Sequence, residues 1–366
     1  MARLFVDILK SSLPCIAQLL PRDSPFVQII RVMQKLRIML GLDVTTKTRL
    51  NHVDQLVLDY EAASGLLHEE TGKDFNFLKQ HFLSHARCTF MTKGTSCNMN
   101  TRIGEGFQQE VSKMYAKTNG KNAEHLISLQ DENEEAMARI QMAINEWEQS
   151  HKDTDLDDSE REVISQPVST AHWILGSSEH RISLHHFESK KRGDPAFRNF
   201  NVRLREYIAQ HHPSCSVRFE QEIKMEICKV IYLDYQSRVN WRSARDIVRC
   251  NPKFHGAQRF DSIIYETDGD ALGLGQLQLV FRCHLPGSVK LDLAMIRPFN
   301  TTNWQPKTRT DCPIRQQVAA QSCIFVALEH IERGALVCPI FGARANMHYV
   351  VDCIDEDMYL RINNID

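Results

Sequence analysis

QLQLVFRCHLPGSVKLDLAMIRPF, residues 276–299, decides the fold class of the C-terminal third of this chain. Leu277, Leu279, Phe281, Cys283 and Leu285 alternate with Gln276, Gln278, Val280, Arg282 and His284. In an extended backbone such a period of two sends every second side chain to the same face. Pro286-Gly287-Ser288 interrupts the run, after which Val289, Leu291, Leu293 and Met295 alternate again. Two alternating runs around a Pro-Gly turn predict an antiparallel β-hairpin. Further strands are expected at 262–266, 323–328 and 348–351, so residues 241–366 read as a small antiparallel sheet or barrel.

Upstream the period changes to that of a helix. Pro25 opens a run in which Phe26, Ile29, Ile30, Met33, Leu36 and Met39 recur at helical spacing until Gly41. A second helix is expected from about Leu50 to Glu70, ending before Gly72, and a third from about Gly104 to Lys117. Between 124 and 150, Leu126, Leu129, Asn133, Ala136, Ile140, Ala143 and Trp147 recur alternately every third and fourth residue, a seam made for another helix. Self-association would use such a seam. Its short length and its Asn and Ala members favour packing within the chain. Pro195 to Gln210 reads as one more helix, with Phe197, Phe200, Leu204 and Ile208 on one side.

HKDTDLDDSERE, residues 151–162, holds six acidic and two basic side chains with almost nothing apolar. Such a segment cannot bury enough surface to order itself and reads as a linker. The expected organisation is therefore α+β: a helical region at 1–150, an acidic linker at 151–165, a mixed connecting region at 166–240 and the β-rich module at 241–366. The formal net charge of −2 supplies no global basic field for nucleic acid. Eleven cysteines without a C-x-x-C pair suit a reducing compartment better than a disulfide scaffold. Asp7 and Lys10 interrupt the apolar N-terminus, and no stretch approaches the roughly 20 apolar residues of a membrane span. An intracellular protein, nuclear or cytoplasmic and without a membrane partner, is expected.

KQHFLSHARCTFMTKGTSCNMNTRIGEGFQQEVSKMYAKTNGKN, residues 79–122, orders two histidines, a turn, an Asn-x-Asn-Thr segment, a glutamate and a Lys-bearing helix. Lys79, His81, His85, Gly94, Asn98, Asn100, Thr101, Glu105, Lys113, Tyr115, Thr118 and Asn119 carry a likeness to a family. The stretch resembles the C-terminal part of the transposase of fungal Plavaka-type mobile elements, relatives of the CACTA group. Residues 172–366 resemble, more diffusely, a β-rich module that follows this region in basidiomycete chains. The resemblance implies that residues 1–150 are the C-terminal remnant of an RNase H-like transposase region, and that the module after them is barrel-like. It makes Glu105 the positional match of a third catalytic carboxylate. It also implies DNA, other transposase chains or chromatin proteins as partners.

The chain departs from the pattern it resembles. Gln108 stands where the family commonly has histidine. The roughly 75 residues before the signature read as helices, not as strands carrying two aspartates. Metal-assisted cleavage needs carboxylates clustered around divalent ions. A protein derived from a transposase, truncated and inactive on its own, is therefore expected, retaining DNA or protein binding. The alternative is an interaction scaffold with no DNA role. No cofactor is expected, and a divalent metal only if nuclease activity were retained.

Four smaller constellations remain. His81 and His85 have metal-ligand spacing on a helix, with Cys88 and Cys97 nearby, or else are two buried, hydrogen-bonded histidines. Lys113, Lys117 and Lys121, four apart along one helix, suit contact with DNA phosphates or a solvated face. His211, His212, Cys215 and Cys228 lack the paired spacing of a zinc site. Asp352, Asp355 and Asp357 lack the glycine and distal glutamate of a calcium loop, and a polar strand end is the expectation there.

Overall fold

The computed structural model describes residues 2–17, 19–21, 24–99, 102–118, 120–151, 171–176, 178–215, 221–267, 271–302, 313–340 and 346–365. The acidic stretch 151–165 lies outside them apart from His151. Where described, the chain up to His151 forms helices and turns: α1 (Ala2–Ile16), α2 (Pro25–Leu40), α3 (Lys47–Thr71), α4 (Leu78–His81), α5 (Ala86–Lys93), α6 (Arg102–Ala116) and α7 (Ala123–His151). Pro25 occupies the first turn of α2, where its missing N–H costs nothing. Thr46 caps α3 by accepting the Arg49 N–H at 3.2 Å, and Gly72 ends the helix at φ +70°, a conformation cheap only for glycine. Gly94 closes α5 in the same half of backbone space, at φ +83°.

The predicted stripe of α2 is rotated in the folded protein. Ile29, Val32, Leu36, Ile38 and Met39 are buried, while Phe26 and Met33 remain 39% and 38% exposed. The turn comes from what α2 meets, since it packs on α3 and also on the C-terminal tail.

The mixed middle contains β1 (Trp173–Leu175), β2 (Ile182–Ser183), α8 (Leu184–Lys190) and α9 (Phe200–His211). The single helix predicted from Pro195 is broken. Pro195–Phe197 makes one 3-10 turn, Asn199 enters the left-handed region at φ +54°, and α9 starts only at Phe200. Asparagine tolerates that conformation, so the break is local chemistry.

Among the described residues twelve further strands follow: β3 (Lys224–Cys228), β4 (Val230–Gln236), β5 (Ser243–Phe254), β6 (Ala257–Phe260), β7 (Ser262–Thr267) and β8 (Ala271–His284), then β9 (Lys290–Thr301), β10 (Ile314–Gln317), β11 (Ile324–Ala327), β12 (Ile331–Ala335), β13 (Val337–Pro339) and β14 (Met347–Val350). The chain closes with α10 (Glu356–Ile362). Every ladder among the described residues is antiparallel, including the β8–β9 pair that the Pro-Gly turn predicts. β8 and β9 pair along the whole quoted stretch, from His284–Lys290 to Leu274–Phe299. One sheet runs β1-β4-β5-β6 and the other β12-β7-β8-β9-β10-β14-β13, with β11 on β9 and β3 on β8.

The second sheet is not a closed barrel. Its two ends, β12 and β13, are separated in sequence by Leu336 alone and pair outward, with β7 and β14. Chain continuity, not a ladder, joins the ends. The region is a bent sheet around Ile264, Leu274, Phe299, Val350 and Met358.

The alternation in β8 changes face once. A bulge between Leu277 and Leu279 shifts the register against β9. Leu279, Phe281 and Cys283 then pack with α8 and α9, around Phe187, Phe197, Phe200 and Phe325. Leu277 and Val280 face the opposite core, shared with Ile231, Leu233 and Val248 of the first sheet. β8 is thus buried on both sides.

Two compact units result, one of residues 1–96 with 169–366 and one of residues 97–168. This differs from the organisation expected from sequence, in which the acidic stretch separated all of the first 150 residues from the rest. The first five helices belong with the β-rich module because α2 and α3 share a core with Cys353, Tyr359 and Leu360 of the tail.

Candidate functional site

Arginines take up the acids of the tail. Arg31 of α2 is 2% exposed and donates to Asp352 at 2.7 Å, while the Asp352 side chain is wholly buried and also accepts from Asn363. Burial alone would raise the Asp352 carboxyl, but the Arg31 charge, the Arg31 and Asn363 hydrogen bonds and Lys35 hold it below the usual range. Arg333 of β12 donates to Asp355 at 2.8 Å, Asp357 at 2.7 Å and Asp246 at 3.1 Å. Arg361 of α10 donates to Asp357 and Glu332, and both guanidinium groups lie against the Tyr235 ring. Asp357 is likewise depressed, since bonds from Arg361, the Arg238 backbone and Arg333 outweigh its burial.

Asp352, Asp355 and Asp357 therefore form an arginine clasp that pins α10 and α2 to the sheets. Arg31, Arg333 and Arg361 are the residues that sequence reading missed. Nothing in the pattern marks a buried arginine, except that Arg31 falls inside the apolar run Ile29–Val32.

The histidine pair behaves differently. His81 ends α4, and His85 ends the 3-10 turn that follows. Their Nε2 atoms are 3.2 Å apart and their rings nearly perpendicular. Both side chains are exposed, which corrects the expectation of buried histidines. The separation matches the ~3.3 Å between two ligand nitrogens on one tetrahedral zinc. Among the described residues, no group of three or more His, Cys, Asp or Glu side chains is placed to hold a metal. In the second sequence cluster, Cys228 is buried, with its thiol pushed up to about 11 by burial, and His211 stacks on Tyr207.

In the second unit, Glu105 lies in α6, with its side chain outside the described residues, as are Asn100, Thr101 and Asn119. Gln108 is exposed. The helix ends at Ala116, earlier than the lysine spacing assumed. Lys113 is thus helical, while Lys117 and Lys121 fall in the connection to α7, and the single-face stripe does not form. All three are exposed, and the Lys117 Nζ lies 3.7 Å from Glu134. Between Cys97 and His151, nine Asp and Glu outnumber five Lys and Arg.

The most distinctive surface of this unit is α7, a helix of 29 residues. Residues 121–151 contain no Gly or Pro, and Glu124 sits in the first turn, where the helix dipole favours an anion. Glu135 to Arg139 at 2.5 Å and Gln141 to Asn145 at 3.0 Å add support one turn apart. At its start α7 packs on α6, where Met114 is buried and Leu126, Ile127 and Gln130 are half-buried. From Asp131 to Asn145 every residue is exposed.

From Leu129 to Ala143 the expected seam is thus exposed, while Leu126 is half-buried and the Trp147 side chain lies outside the described residues. Leu129 is 46% exposed, Ile140 60%, Met137 61% and Ile144 43%. At 100° per residue, Ala143, Ala136, Leu129, Ile140, Asn133, Ile144 and Met137 fall within an arc of about 120°. The packing expected within the chain is found, among the described residues of this unit, only at the start of the helix.

No protein-family model, curated protein or solved structure matches this chain. Among the described residues, no helix is long and apolar enough to cross a membrane. Cys15, Cys88, Cys228, Cys250, Cys283, Cys323 and Cys338 are free thiols.

Proposed function

We propose that this chain is a transposable-element-derived protein that acts by binding rather than by cutting DNA. On this reading, the helices of residues 1–150 descend from the region after an RNase H-like core, and Glu105 is a remnant of its catalytic carboxylates. One observation carries the reading toward binding: the apolar stripe of α7, uncovered from Leu129 to Ile144. Monomeric proteins seldom leave such a contiguous stripe in water, and one rimmed by charge marks an interaction surface. The arginine clasp agrees with this, because it commits Asp246, Asp352, Asp355 and Asp357 to cations within the protein.

The test is cleavage of duplex and single-stranded DNA by the full chain in Mg²⁺ or Mn²⁺. The expected result is intact DNA. Strand cleavage that Glu105→Gln abolishes overturns the proposal and restores an active nuclease.

A second reading, DNA contact through Lys113, Lys117 and Lys121, is favoured by the exposure of all three. The acidic excess of the unit opposes it. Binding that weakens steeply with salt, and weakens further when the three lysines are replaced, would establish it; no binding at low salt removes it.

A further inference from the structure

We infer that α7 pairs antiparallel with α7 of a second copy of this chain. The inference rests on the binding reading above and names the partner. The stripe has unlike edges. Glu132 and Arg139 border one side, while Met137 and Ile144 border the other. When two copies of a helix pair antiparallel, like edges meet. Glu132 then faces the partner's Arg139, and Arg139 faces the partner's Glu132, giving two complementary ion pairs from one symmetric contact. On the other edge Met137 then faces the partner's Gln130 and Ile144 the partner's Ala123, with no charge buried there. Parallel pairing would instead set Glu132 and Arg139 against Met137 and Ile144, leaving both charges without a counter-charge.

Side-chain sizes point the same way. The antiparallel register that aligns those charges places Leu126 opposite the partner's Ala143, Leu129 opposite the partner's Ile140, and Asn133 opposite the partner's Ala136. Each layer occurs twice, with a small side chain facing a larger one in the first and third. Parallel, in-register pairing would stack Ala136 on Ala136 and Ala143 on Ala143, with gaps a packed core does not tolerate. The surface is available. Leu126 and Ile127 are half-buried at the start of the helix, so the outermost layer is partly covered, while residues 131–145, Glu132 and Arg139 among them, are exposed. Arg139 already bonds Glu135 of its own helix, but a guanidinium has donors enough for both carboxylates.

Sedimentation equilibrium of the full chain tests this. A reversible dimer is expected at concentrations up to ~100 µM. Ile140→Asp sets a carboxylate in two apolar layers and should raise the dissociation constant at least about 100-fold. Since Ile140 is exposed in the single chain, far-UV circular dichroism should not change. Arg139→Glu alone should weaken pairing about tenfold, and adding Glu132→Arg should recover it, because both pairs are then reversed together.

A chain that stays monomeric overturns the inference, as does a dimer indifferent to Ile140→Asp. A double reversal as weak as the single one overturns the antiparallel register. These outcomes are separate from the cleavage assay: a monomer that cuts no DNA sinks self-pairing and leaves the binding reading intact.

Discussion

Helices α2 and α7 carry apolar residues at similar spacing, yet one is among the most enclosed elements of the protein and the other among the most exposed. In α2, Val32, Leu36, Ile38 and Met39 are at most 2% exposed, against α3 and the C-terminal tail. In α7, Leu129, Met137, Ile140 and Ile144 all stand in water. Helical periodicity specifies a face; it does not specify what covers that face. α2 finds its cover in residues more than 300 positions away, through Cys353, Tyr359 and Leu360. In the described structure, α7 finds cover only over its first turns, from α6.

The contrast makes graded predictions. Phe200 is fully buried among Phe187, Phe197, Phe281 and Phe325, so Phe200→Ala should cost about 4 kcal/mol in urea unfolding. A cost below 1 kcal/mol would mean that this core is not tightly packed.

Arg31→Met should cost about 3 kcal/mol, because it leaves the buried Asp352 carboxylate without its cation. The pH dependence follows from the depressed carboxyls of Asp352 and Asp357. Their contribution is present above the unfolded aspartate value of about 4 and is lost as pH falls through the lower folded values. Asp246 works in the opposite sense: burial outweighs Arg333 and raises its carboxyl, so part of the acid loss is offset. Unfolding at a series of pH values should show wild-type stability falling below about pH 4. In Arg31→Met burial is left to raise the Asp352 carboxyl, so its share of the acid loss should disappear and the gap to wild type should narrow as the pH falls; an unchanged profile would mean that the pair does not couple α2 to the tail.

A smaller effect is expected at the start of α3. Thr46→Ala removes the acceptor for the Arg49 N–H and should cost about 1 kcal/mol, readable as a lowered midpoint at unchanged slope. The least effect belongs to α7. Ile140→Ala should change the stability of the single chain by no more than about 0.5 kcal/mol. A loss comparable to that of Phe200→Ala, measured at high dilution, would show that α7 is covered within the chain and would erase the contrast.

Much of the local structure was legible. The Pro-Gly hairpin, the stop of α2 at Gly41 and of α3 before Gly72, and the strand near 262–266 all follow from periodicity and turn chemistry. The break at Asn199 and the bulge after Leu277 were not, because each shifts a run by about one residue while its composition still fits an unbroken element. Of the expected antiparallel sheet or barrel, the sheet forms without closing, for a topological reason: strand count and alternation do not reveal that β12 and β13 pair with different neighbours. At the candidate site, the α7 seam was fully legible, but its exposure was not. The lysine spacing was legible too, and its placement on one helix failed because α6 ends at Ala116.

By itself, then, the sequence determined which backbone segments are helical or extended and which side chains share a face, because those properties arise within a few residues. It also determined the order of residues from Lys79 to Asn122 on which the proposed transposase descent rests. Only the tertiary structure decided that α2 and α3 join the β-rich module, and that Asp352, Asp355 and Asp357 serve arginines. It alone left the α7 stripe in water. Burial and ion pairing depend on contacts between residues far apart in the chain, and such contacts leave no periodic signature in a single sequence.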